Sequence, residues 1–95
     1  AERILWEKVI DEDGNITELA ISRVVVSAKQ PAGVKYRLAF IKRDAADPAV
    51  LYDNHHPKGH HRHVAGVEEP YDFTGVDKLL SDFQDDVERI KGARR

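Results

Sequence analysis

The chain has 95 residues, enough for a single domain over 1–95. Lys and Arg number 15 against 17 Asp and Glu, a formal charge of -2, which excludes a uniformly basic nucleic-acid sleeve. Hydrophobic residues at 41% beside charged residues at 34% describe a chain that folds, and the absence of Cys excludes disulfide staples and thiolate zinc sites.

Two apolar runs open the chain, Ile4–Ile10 and Ile16–Val26, separated by Asp11-Glu12-Asp13-Gly14-Asn15. Asp-Gly between β-branched runs is a hairpin signal, so antiparallel strands are predicted over 3–10 and 16–26. Pro31 and Gly33 then mark a loop. In Val34–Arg43, Val34, Tyr36, Leu38 and Phe40 alternate with Lys35 and Arg37, the pattern of a half-buried strand. Trp6, Tyr36 and Phe40 are read as core residues. Ala49–Asn54 reads as a short fourth strand, and His61–Val64 offers a fifth. Over 74–91, Val76, Leu79, Leu80, Phe83, Val87 and Ile90 recur at helical spacing, with Thr74 and Asp77 set as a capping pair. This apolar stripe is expected to cover one face of the sheet. The fold expected is α+β, a four- or five-stranded antiparallel meander with the C-terminal helix packed on one face.

Charge is unevenly distributed. Residues 23–43 carry six bases and no acid, residues 68–88 carry eight acids and one base, and the last seven residues carry four bases. A molecule so arranged presents a positive face despite its negative total. No apolar run approaches the length of about 18 residues that a membrane span needs, and no secretory leader is visible, so a cytoplasmic protein without membrane contact is expected.

All five histidines fall within His55-His56-Pro57-Lys58-Gly59-His60-His61-Arg62-His63. Three readings fit this cluster. The first is acid–base chemistry on an RNA phosphodiester, which needs a base, an acid and cations for the developing phosphorane charge. His61 and His63 share a face if their segment is extended, and Lys58 and Arg62 supply charge. Tyr52 and Asp53 stand just upstream as supports. The second is a metal site using His61, His63 and Asp53. The third is a solvated turn whose imidazoles bond backbone carbonyls. Asp53 or Glu69 could orient a His by accepting its ring N–H.

The run Tyr52-Asp53-Asn54, then Lys58-Gly59-x-His61-Arg62-His63, then Glu68-Glu69-Pro70-Tyr71-x-Phe73 and the helix from Leu79 to Val87 resembles the TumE-like family of small bacterial toxins. The resemblance extends over nearly the whole chain. It implies the toxin half of a toxin–antitoxin pair, with a helix-turn-helix antitoxin as partner and RNA as target. Family members often carry an acid where this chain has His60. The function expected is a type II toxin acting as a metal-independent endoribonuclease. Its catalytic set would be His61, His63, Lys58, Arg62, Tyr52 and Asp53, with no cofactor and room for a homodimer. The alternative is a non-enzymatic module that partners a helix-turn-helix regulator.

Overall fold

The computed structural model describes residues 2–92. Arg94 and Arg95 of the basic C-terminal block lie outside the described residues. Six strands follow in chain order: β1 (Glu2–Ile10), β2 (Ile16–Arg23), β3 (Val34–Ile41), β4 (Val50–Asp53), β5 (His61–Val64) and β6 (Val67–Pro70). The helix α1 (Val76–Gly92) ends the described chain. The strands form one antiparallel meander in the order β1-β2-β3-β4-β5-β6. The α+β class and the single helix are as expected; the strand count is six rather than four or five.

The extra strand arises at a tight turn. Val64 pairs with Val67, and between them Ala65 and Gly66 both take positive φ, 50° and 83°. Two left-handed residues make the turn whose twist matches a hairpin. Asn-Gly would have announced it, whereas Ala-Gly does not. The opening hairpin turns through Asp11–Asn15, where Asp11 Oδ1 accepts the N–H of Asp13 and of Asn15, each at 2.9 Å. Gly14 at φ 83° closes that turn.

The helix begins at Val76, so Gly75 rather than Thr74 precedes its first turn, and the Thr74–Asp77 capping pair is not the start. Leu79, Phe83 and Val87 are buried against Ile21, Tyr36, Leu38, Phe40, Val50 and Tyr52. Burying each such helix side chain contributes about 1.5–3 kcal/mol. A helix is about 10–12 Å wide, while six strands about 4.8 Å apart span far more. One helix therefore leaves β1 uncovered on the helix side, where Val9 stays 50% exposed; Ile10, on the other face, is 65% exposed.

Trp6 corrects an expectation. Leu5 and Trp6, as neighbours in a strand, face opposite sides of the sheet. Leu5 pairs with Ile21 and packs on the helix side, so Trp6 turns to the other face and is 61% exposed. Tyr36 and Phe40 are core, as expected. Among the described residues, no helix is long and apolar enough to cross a membrane.

Candidate functional site

Strand register decides which side chains meet. Asp53 pairs with His61, Leu51 with His63, and His63 with Glu68. These residues share the sheet face that the helix does not cover. Tyr52 and Arg62 pair with each other one residue away, and so project to the helix side.

On the open face, the rings of His61 and His63 lie 5.3 Å apart, centre to centre, nearly edge to face. Each stands against its own carboxylate. His61 Nε2 is 3.5 Å from Asp53 Oδ1, and His63 Nε2 is 3.4 Å from Glu68 Oε1. His61 Nδ1 donates to the Gly59 carbonyl at 2.8 Å, which fixes the ring and leaves Nε2 turned to Asp53. Lys58 Nζ donates to both oxygens of Glu68 at 3.0 Å, and this bond holds the Glu68 carboxyl below the usual carboxylate range. A cleft of about 250 Å³, lined by Lys58, His60, His61, Glu68, Glu69 and Pro70, opens beside His61.

The loop that carries Lys58 is built by short-range bonds. Asp53 Oδ1 accepts the His55 N–H at 2.8 Å, and Gly59 N–H reaches the His55 carbonyl at 3.1 Å. Gly59 has φ 73°, a left-handed value that a glycine adopts without strain. Buried Asn54 fastens the loop to β3: its Oδ1 accepts the Tyr36 N–H at 3.0 Å, and its Nδ2 donates to the Val34 carbonyl at 2.8 Å.

The helix side has a different character. The Tyr52 hydroxyl donates to Asp86, which is buried within α1. Arg62 donates to Tyr52 Oη at 3.0 Å, to Asp86 Oδ2 at 3.2 Å and to Glu69 Oε1 at 2.6 Å. Burial, and then the bond to Asp86, raise the Tyr52 phenol above its usual range; the bond to Tyr52 raises Arg62 further. This network ties the helix to β4 and β5. His60 also belongs to that side. It stacks on Phe73 at 4.9 Å, and Tyr36 Oη lies 2.8 Å from its Nδ1. His55 and His56 are exposed in the loop.

The structure thus brings together His61, His63, Lys58 and Asp53. It separates Tyr52 and Arg62 from them by the thickness of the sheet. It adds Glu68, which the two-residue turn places opposite His63 and which the unread Ala65-Gly66 turn concealed. Of the two adjacent acids, Glu68 faces the histidines and Glu69 faces Arg62.

His61, His63 and Glu68 also offer ligand atoms within 4.8 Å of one another. A tetrahedral zinc site holds its ligands about 3.4 Å apart, from bonds of about 2.0–2.1 Å.

Residues 6–91 match the family model described as Toxin TumE. No curated protein and no solved structure matches.

Proposed function

The chain belongs to the Toxin TumE family, and from that membership we propose that it is the toxin of a type II toxin–antitoxin pair, an endoribonuclease that cleaves cytoplasmic RNA without a metal. The observation that carries the proposal is the pairing of His61 with His63 on the open face, each beside a carboxylate, with Lys58 bonded to the Glu68 carboxylate that stands against His63.

The proposed chemistry is transfer of the phosphodiester to the ribose 2′-hydroxyl. His63, the more exposed ring, takes the 2′-hydroxyl proton as the oxygen attacks phosphorus. His61, whose two nitrogens face the Gly59 carbonyl and Asp53, carries the proton that passes to the departing 5′-oxygen. Lys58 turns from Glu68 to the non-bridging oxygens, where a cation offsets the charge that builds up in the transition state. The products are a 2′,3′-cyclic phosphate and a 5′-hydroxyl. Asp53 orients His61, while Arg62 and Tyr52 hold β4 and β5 in place from beneath.

A helix-turn-helix antitoxin would restrain this activity. The alternative, a non-enzymatic module that binds such a regulator, would draw on the uncovered apolar residues of β1, Ile4, Val9 and Ile10. Expression of the wild type and of His61→Ala, with cellular RNA integrity followed over time, separates the two. The enzymatic reading requires RNA fragments bearing cyclic phosphate ends in the wild type and intact RNA with His61→Ala. Growth arrest by both chains with intact RNA would favour the binding module.

A further inference from the structure

One row of residues crosses the whole open face. Trp6 pairs with Ala20, Ala20 with Arg37, Arg37 with Asp53, Asp53 with His61, and His61 with Pro70. Trp6 and the His61–His63 pair therefore lie on one surface, four strand spacings or about 19 Å apart. Between Trp6 and Arg37 the side chain is only Ala20, and the strands that bear the two large residues are about 10 Å apart. The result is a slot walled by an indole and a guanidinium. Two shallow depressions, of about 410 and 300 Å³, share Trp6, Ala20 and Arg37 in their lining.

Both walls of this slot are surfaces on which nucleobases stack. Arg3 already lies over the Trp6 ring, 4.5 Å from its centre, so the ring accepts a cationic plane in this position. Arg37 is steadied by Glu18 at 3.2 Å. Around the slot, β1 to β3 present Arg3, Lys8, Lys35 and Arg37 to the open face against Glu18, with Glu7 also in the lining of one depression. The exposed acids of the helix, Asp77, Asp85 and Glu88, belong to the opposite side of the sheet. An anionic strand with free bases matches this charge and shape. A duplex, whose bases are already stacked, does not.

We propose that the open face is a binding track for single-stranded RNA, with one base inserted between Trp6 and Arg37 and the chain running along the Arg37–Asp53–His61 row to the histidine pair. This rests on the reading that RNA is the substrate, and it adds where the strand is held and why it must be single.

Trp6 is the only tryptophan in the chain, so its fluorescence reports the slot alone. The test titrates the protein with an eight-nucleotide 2′-O-methyl RNA, which lacks the attacking hydroxyl, and with the same sequence as a duplex. Saturable quenching by the single strand and little by the duplex is expected. By anisotropy of the labelled strand, Trp6→Ala and Arg37→Gln should each weaken binding about ten- to a hundredfold. Because Trp6 is exposed, Trp6→Ala should keep the wild-type circular dichroism. Binding without quenching, equal quenching by duplex, or wild-type affinity in Trp6→Ala would overturn the track. Trp6 emission that shifts with protein concentration alone would assign the face to a second copy and overturn it also. Failure of the two readings is distinguishable. A chain that binds through Trp6 but cleaves nothing keeps the track and loses the nuclease. A chain whose cleavage needs His61 but whose RNA affinity ignores Trp6 keeps the nuclease and loses the track.

Discussion

His61 and Arg62 are consecutive in β5, yet their side chains leave the sheet on opposite faces, His61 toward Asp53 and Arg62 toward Asp86. The period of two in a strand forces this separation. It divides the basic cluster into a group on the open face and a group that fastens the helix.

Arg62→Met should therefore act on stability. It leaves buried Asp86 with one guanidinium fewer, since Arg89 at 2.7 Å remains. Urea denaturation should show a loss of about 2–3 kcal/mol. His63→Gln should change stability by less than about 0.5 kcal/mol and abolish RNA cleavage. An Arg62→Met protein as stable as wild type but inactive would return Arg62 to the chemistry.

The two large residues on opposite sides of the sheet should respond in opposite ways. Phe83 is 2% exposed and meets the Tyr52 ring edge to face at 5.8 Å. Phe83→Ala should cost about 3–5 kcal/mol in equilibrium unfolding. Trp6→Ala should stay within about 0.5 kcal/mol of the wild type. A large loss on removing Trp6 would mean that the open face is covered.

Much of this arrangement was legible in the residues. The alternation of Val34, Tyr36, Leu38 and Phe40 fixed the central strand, and the stripe from Leu79 to Val87 fixed the helix and its buried side. His61 and His63 were paired by their spacing alone. Three features were hidden, each for a physical reason. Trp6 reads as core because an apolar run of Ile, Leu and Trp does not say which parity faces the helix; Leu5 pairing with Ile21 decides it. The β5–β6 turn uses Ala65 at positive φ, which local preference disfavours and the paired strands impose. Asp86, on the helix, looked like one more surface acid, and only the fold places it beneath Tyr52 and Arg62.

His60 should make the fold acid-sensitive. Burial lowers its pKa from the usual imidazole value, so the folded state favours the neutral ring, whose Nδ1 lies 2.8 Å from the Tyr36 hydroxyl. The unfolded chain takes up that proton near about pH 6.5 while the folded chain resists it. The contribution is present above that pH and lost as pH falls toward the folded-state value. Melting temperatures of wild type and His60→Phe between about pH 8 and about pH 5 should diverge, with the variant losing less. Parallel curves would remove His60 from the acid response.

Binding to single-stranded RNA should weaken steeply with salt, because phosphate contacts release counterions. Lys35→Gln should reduce the slope of log affinity against log salt by about 0.7, the value for one contact on a single strand. A slope unchanged by this substitution would place the phosphates away from β3.

The central claim is that His61 and His63 cleave RNA without a metal, and one measurement meets it directly. Purified wild type, His61→Ala and His63→Ala are assayed for RNA cleavage from about pH 5 to about pH 9, with and without chelator. A bell-shaped profile is expected in the wild type, because one imidazole must be neutral and the other charged. The same profile is expected in chelator, with loss of activity in both variants. Activity that vanishes on chelation and returns with added metal, or wild-type cleavage by either variant, would contradict it.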